Sequence, residues 1–498
     1  MDYLCFSVYF SISYILGVFM MPMHGFNNRG LVEVLRGRFN QPGRFGRMFP
    51  ELRSLKSFDP GPEELGKVNG AMDGGNPLPT DTSQNNPRIK AGYTFLGQFI
   101  DHDLTLDTTS QLEQQIDVSA TTNFRTPALE LDSLYGLGPS VQPHLYDRDK
   151  PFRLLLSPDG NDLPRNSQGT ALIGDPRNDE NAIIAQLHLI WLKFHNQVFE
   201  KEFADMPIGK ERFEATQKVV RWHYQWLVVN EFLPRICGSN LVAKTIDELP
   251  FEFYHHAFMP VEFSVAAYRF GHSQTRPGYL LGTTGGTRAA ALFPDDPSLP
   301  NSVGDLRGFR PIPPELRIEW NTFFGPSAQA SKLVDTKLSR VMLRLPDGVV
   351  PPGTADKFRS LATRNLQRGI DISLPAGQHV ASRLRISNRL TEDEIWTTNG
   401  SKIGSGFAPL WFYILREGEV RANGRRLAGV GAAIVARSFV SFLMADKASY
   451  LWQDPYWTPT LGKNGRFTAS DLVNYALNLS DEVQSEDVIS LEGDDTSE

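Results

Sequence analysis

Between about residue 23 and residue 480 the chain offers no heptad, no internal repeat and no Gly/Ser linker at which it could be divided. A single domain of that length is larger than usual, so its core is expected to be organised around something besides side chains. Hydrophobic residues make up 41% and charged residues 21% of the 498. That balance is ordinary for a soluble enzyme and excludes a disordered or fibrous chain. The formal net charge of -7 gives no general attraction to phosphate backbones, and no basic stripe is present, which sets nucleic-acid binding aside. Two cysteines, Cys5 and Cys237, argue against a disulfide framework and a Cys-based zinc site.

Both ends differ from this body. Tyr3 to Met21 is nearly all apolar, yet Asp2 stands where a signal would carry Lys or Arg, and no cleavage site of the usual small-residue kind follows. Residues 1–22 therefore read as a signal, an anchor or a misassigned start. Membrane contact or secretion follows only if they are retained; otherwise a cytoplasmic protein is expected. Residues 481–498 hold eight Asp or Glu and no Lys or Arg, the composition of a disordered tail. The folded domain is expected over 23–480.

Within it the strongest periodicity is helical. From Glu180 to Phe203, Ile183, Ile184, Leu187, Trp191, Phe194 and Val198 recur at three- and four-residue spacing, with Asn178 and Asp179 offering an N-terminal cap. Similar patterns predict helices over Phe213–Leu233, Glu262–Gly271, Ala355–Arg368 and Val430–Leu443. The best strand signal is Val341–Leu345, and long Pro/Gly-rich connectors such as Gly278–Pro314 join the helices. The fold class is mainly α, with few short strands.

Four segments carry polar residues at special places. In a helix, Gln98, Asp101 and His102 project from one face, while Tyr93, Phe95, Leu96, Phe99 and Ile100 around them are apolar. An amide, a carboxylate and an imidazole would share a buried or half-buried space, where polar groups need partners. Arg177 and Glu180 stand before the long helix; its dipole favours the Glu and leaves the Arg unexplained. Arg269 and His272 are three apart, with Gly271 allowing close approach to the backbone. Asn365 and Arg368 repeat the spacing, which leaves three arginines without an evident protein anion.

In order and spacing, from about Arg47 to Trp457, these segments resemble the animal-type haem peroxidases of the peroxidase-cyclooxygenase superfamily, in particular their shorter bacterial and fungal members. The resemblance implies a single, mainly α-helical domain wrapped around a buried haem b. It implies that Gln98 and His102 are the distal Gln and His, Arg177 the distal Arg and His272 the proximal iron ligand in an R-x-G-H pattern. Asn365 would pair with the second nitrogen of that ligand, and Arg269 and Arg368 would clamp the propionates. Asp101 and Glu180 match carboxylates that many members esterify to haem methyls, so covalent attachment is expected. Asn181 stands where some members carry the Met of a sulfonium link, which makes bromide, iodide, thiocyanate or phenols better candidate donors than chloride.

Asp103, Thr126, the Ala128 carbonyl, Glu130 and Asp132 resemble the family's calcium loop, although the family has Asp in place of Glu130 and usually Ser in place of Asp132. Hard oxygen donors in that number suit Ca²⁺. After Asn365 the family often reads R-G-R-D-H-G, whereas this chain reads Arg368-Gly369-Ile370-Asp371-Ile372-Ser373. The implied activity is reduction of hydrogen peroxide, with oxidation of small organic donors or halide and pseudohalide ions, by way of a ferryl intermediate.

Three rival readings are weighed. A fatty-acid dioxygenase of the cyclooxygenase branch would carry Tyr three residues before the proximal His, where this chain has Arg269. A non-catalytic haem-bearing adhesion module would have lost a distal residue. A His-metal hydrolase could use His188 and His195, seven apart on one helical face, but no intervening Glu stands at the right spacing, so both read as packing histidines.

Overall fold

The computed structural model of the protein describes residues 45–77, 81–105, 127–248, 258–294, 299, 301–480 and 483. The apolar N-terminal segment, the acidic tail apart from Val483, Thr126, His24, His255 and His256 lie outside the described residues.

The fold is mostly helical, and the strands are short pairs. Phe45–Gly46 runs parallel to Met259–Pro260, while Asn85–Lys90 with Ala330–Lys332, Gly278–Gly282 with Arg288–Ala291, and Thr397–Thr398 with Ser401–Lys402 are antiparallel. Helix α1 spans Ala91–Leu104 and buries Leu96, Phe99, Ile100 and Leu104. Helix α2, Ala182–Lys201, presents Trp191, which stacks on Phe99 with ring centroids 5.7 Å apart.

Further along the chain come α3 (Lys210–Leu227), the short α4 (Gly271–Gln274), α5 (Leu361–Asp371), α6 (Leu410–Arg421), α7 (Gly429–Ala445) and α8 (Ala469–Leu477). α1 packs on α2 and α4, α2 on α3 and α8, and α6 on α5 and α7. Buried apolar residues from Met48 to Val483 form one cluster. Among the described residues no helix is long and apolar enough to cross a membrane.

Several boundaries depart from the sequence pattern, each for a local reason. The cap of α2 is Asn181, whose side chain accepts from the N–H groups of Ile183 and Ile184. Asn178 and Asp179 instead lie in a 3₁₀ turn, Pro176–Asp179, capped by Asp175. α3 continues through a wide turn at Val228–Phe232 into a helix at Leu233–Cys237. Pro234 has no N–H to keep the ordinary ladder, which favours such a shift.

The expected helix over Glu262–Gly271 is broken at Ala266 into Val261–Ser264 and a 3₁₀ turn at Ala267–Phe270 that leads into α4. The Ala355–Arg368 helix divides at Ser360, which caps α5 through the N–H of Thr363. The strand expected at Val341–Leu345 is a 3₁₀ turn, Arg340–Leu343. Its backbone is drawn to Gly75 and its N–H at Val341 to the Asn76 side chain, and no strand among the described residues lies alongside.

Candidate active site

Three elements bring the polar segments to one place. α1 carries Gln98, Asp101 and His102; the 3₁₀ turn before α2 carries Arg177 and ends at Glu180; the 269–272 segment, packed against α1, carries Arg269 and His272. Asp101 shows how closely they converge. Burial raises its pKa, while the charges of Arg177 and Arg269 oppose the rise. Arginines from two separate segments therefore reach one carboxylate.

His272 is held at Nδ1 by the Asn365 side chain, 2.8 Å away on α5. Burial first, and Arg269 second, push its pKa down to about 3. The imidazole is neutral throughout the physiological range, as a metal ligand must be. A Cβ added at Gly271 would meet nothing within 4 Å, so the backbone beside His272 borders open space.

On α1, Nε2 of His102 lies 3.7 Å from Oε1 of Glu180, and the Gln98 amide donates to the same carboxylate. The Glu180 side chain is 38% accessible to a water-sized sphere, yet burial pushes its pKa up to about 7. An open carboxyl that is nonetheless desolvated sits in a recess, a hollow crowded by protein atoms. Gln98, Asp101, Arg177, Arg269 and Arg368 are half-buried, Asp101 and Arg269 each between two buried chain neighbours. A neutral imidazole, a hollow and carboxylates on its rim fit a planar iron porphyrin.

One arginine differs from expectation. Arg177 does have an anion: Asp175, which caps the same 3₁₀ turn, lies 2.8 Å from its Nη2, and the guanidinium also donates to the carbonyls of His102 and Thr105. Arg269 donates to the Ser264 carbonyl and to the Asn365 side-chain oxygen, a neutral partner. The Arg177 segment is itself locked. Arg165 makes bonds of 2.7 and 2.8 Å to Asp179, and Gly308 and Phe309 donate backbone N–H groups to the carbonyls of Glu180 and Asp179.

A Cβ at Gly308 would stand 1.7 Å from the Asp179 carbonyl oxygen. Gly308→Ala is therefore expected to cost about 1–3 kcal/mol of stability, the usual range for overpacking, as a lowered midpoint in denaturant unfolding.

At the proposed calcium loop, Asp103 accepts from the Leu131 N–H at 3.0 Å, which draws the segment between Glu130 and Asp132 onto α1. Oδ1 of Asp132 is buried without a hydrogen-bond partner. Among the described residues, however, no three His, Cys, Asp or Glu side chains form a metal-holding group, and Thr126 lies outside them. His188 and His195 do not converge either. His195 bonds Tyr135 and the Phe152 carbonyl, whereas His188 bonds Asn178.

Sequence reasoning missed Asn178 as anything but a cap, and it missed Asp175. Asn178 is buried, with Oδ1 2.8 Å from Nδ1 of His102. Its place next to Arg177 was the only signal available.

Comparisons with known proteins bear on family and fold. The model of the animal haem peroxidase family matches residues 122–387, more than half of the chain. That span includes Arg177, Glu180, Arg269, His272 and Asn365, and begins after α1. A peroxidase-like protein of Margaritifera margaritifera is 29% identical over 214 residues, 41% of this chain and 26% of that protein. Human thyroid peroxidase is 27% identical over 228 residues, 43% of this chain and 22% of that protein. The matched stretch is thus about a quarter of these relatives' length.

Among solved structures, peroxidase A of Dictyostelium discoideum shares the fold with a TM-score of 0.58 and 15% identity, covering 80% of this chain and 92% of that one. A fatty acid alpha-dioxygenase of Oryza sativa follows with 0.54 and 14%, covering 90% and 80%. The fold is common to both kinds of enzyme and does not choose between them. The chain belongs to the animal haem peroxidase family.

Proposed function

We propose that this protein is a haem-dependent peroxidase that reduces hydrogen peroxide and oxidises small organic donors or halide and pseudohalide ions. One observation carries the reading: a neutral His272 fixed by Asn365 stands on an element packed against the helix that carries His102, beside a hollow rimmed by Asp101 and Glu180. The domain is proposed as residues 23–480; the buried cluster also takes in Val483, which is hydrogen-bonded to Asn474 and lies within the stretch expected to be a tail.

His272 would hold the iron through Nε2 if Arg269 leaves Asn365 for a propionate and the amide turns its oxygen to Nδ1–H; as it stands, the Asn365 nitrogen faces Nδ1 and its oxygen accepts from Arg269. Arg269 and Arg368 would take the propionates through charge-assisted hydrogen bonds. Bound haem supplies the electron-transfer chemistry. His102 accepts the proton of the near oxygen of hydrogen peroxide at Nε2 and returns it to the far oxygen, so that water leaves. Arg177, anchored by Asp175, sets a positive charge where negative charge builds as the O–O bond breaks. Gln98 holds Glu180 and borders the same space.

The deciding experiment is a Soret spectrum of the purified protein, followed by stopped-flow mixing with peroxide and then with bromide, thiocyanate or a phenol. A colourless protein that hemin does not reconstitute would end the proposal. Oxygen uptake with linoleate in place of peroxide consumption would move it to the dioxygenase branch. Tyr268 speaks against that branch: its hydroxyl donates to the Gly97 carbonyl and its ring stacks on Phe263 at 4.7 Å.

Two finer proposals are separable. Asp101 and Glu180 are taken as sites of ester links to haem. Acid extraction is then expected to leave haem on the wild type and release it from the Asp101→Asn/Glu180→Gln double variant; full release from the wild type refutes the links. Asp103, Thr126, the Ala128 carbonyl, Glu130 and Asp132 are proposed to take Ca²⁺. Prolonged chelation is expected to remove about one calcium per chain and lower activity, because the ion would stiffen the turn after His102; unchanged metal content and rate refute the site.

A further inference from the structure

We propose that Asn178, backed by His188, is a positioning residue that holds His102 in the tautomer with its proton on Nδ1, leaving Nε2 open towards the hollow. The proposal deepens the peroxidase reading and rests on it for its catalytic meaning, although the tautomer itself does not depend on haem.

The Asn178 side chain is fully buried and lies between two imidazoles. Its Oδ1 is 2.8 Å from Nδ1 of His102, and its Nδ2 is 3.0 Å from Nδ1 of His188. An amide has an oxygen that only accepts and a nitrogen that only donates, and neither titrates near neutral pH. With the oxygen towards His102, that ring must carry its proton on Nδ1. With the amide nitrogen towards His188, that ring must accept at Nδ1. Rotating the amide would reverse both, placing a proton on Nε2 of His102 and removing the lone pair a base needs.

The opposite pull is also present. Oε1 of Glu180, 3.7 Å from Nε2 of His102, attracts a proton to the wrong side of the ring. The shorter bond to Asn178 opposes it. Asn178 is well placed to do so, because its 3₁₀ turn is tied down by Arg165 at Asp179 and by Asp175 at Arg177. His188 comes from α2, is itself buried, and meets the ring of Phe99, three residues before His102, with centroids 6.0 Å apart. The two imidazoles and the amide thus cross from α1 through the turn to α2.

The test uses the full chain with haem and the variants Asn178→Leu, Asn178→Asp and His188→Leu. Nitrogen-15 imidazole NMR reads the His102 tautomer on the diamagnetic carbonyl complex of the reduced protein, or on the protein as isolated if it takes no haem. The wild type is expected to show the proton on Nδ1, Asn178→Leu a mixture or the other form, and Asn178→Asp, which keeps an acceptor, the wild-type form.

In the holoprotein, association of hydrogen cyanide, which must give up its proton on binding, is expected to slow by about tenfold to a hundredfold in Asn178→Leu. The loss should be smaller in His188→Leu and largely restored in Asn178→Asp, with haem content and donor KM unchanged. A wild-type proton on Nε2, wild-type cyanide rates in both leucine variants, or an aspartate variant as slow as Asn178→Leu overturns the proposal. Should Asn178→Leu fail to fold, His188→Leu and Asn178→Asp decide by the same readouts. A wild type with the proton on Nδ1 but no Soret band would refute the peroxidase reading and leave the positioning intact.

Discussion

Replacing His272 with Ala is expected to abolish the Soret band of the purified protein or to reduce it to a weak, easily extracted pigment. The imidazole is a neutral nitrogen donor held beside the hollow: burial first, and Arg269 second, push its pKa down to about 3, and Asn365 meets its Nδ1 at 2.8 Å. Loss of an outer partner of a metal ligand typically weakens metal affinity about 10–100-fold, and loss of the ligand itself should cost at least as much. Asn365→Leu marks the intermediate case, with haem bound more weakly and its spectrum shifted. Haem titrations followed by absorbance measure both. A His272→Ala protein with wild-type haem affinity and spectrum would place the iron elsewhere.

Replacing His102 with Leu separates catalysis from binding. The variant should keep its haem, because none of the groups that would hold the iron or the propionates is touched. Its reaction with hydrogen peroxide is expected to slow by about a hundredfold to ten-thousandfold, the contribution of a positioned proton acceptor. Stopped-flow absorbance gives the rate constant directly, and the Soret position before mixing controls for damage to the pocket. A leucine variant as fast as the wild type would remove His102 from the mechanism.

How much of this was legible in the chain differs from element to element. The long helix announced itself, because Ile183, Leu187, Trp191, Phe194 and Val198 keep one face apolar over about four turns. Its cap was misplaced by three residues, since Asn178, Asp179 and Asn181 are all competent caps and only tertiary contacts decide among them. Asn178 is taken by two histidines and Asp179 by Arg165, which leaves Asn181 for the helix.

The site residues were legible as types at spacings, and the resemblance gave them roles. Their local geometry was not legible: Arg269 and His272 do share a place, but through a 3₁₀ turn and a new helix start and not on one helical face. Arg177 looked unpaired because its anion is two residues away, and whether such neighbours meet depends on the turn type. Val341–Leu345 had the composition of a strand and no partner to make it one.

The backbone bridge between residues 179–182 and 305–309 has a consequence for how this protein can change. The connector from Gly278 to Pro314 is the stretch where donor preference would ordinarily be expected to drift, since loops accept substitutions readily. Here its Leu306, Gly308 and Phe309 are stitched to the peptide units that aim Arg177 and Glu180. Substitution at those points would jolt the reactive centre as well, so selection for new donors should spare them.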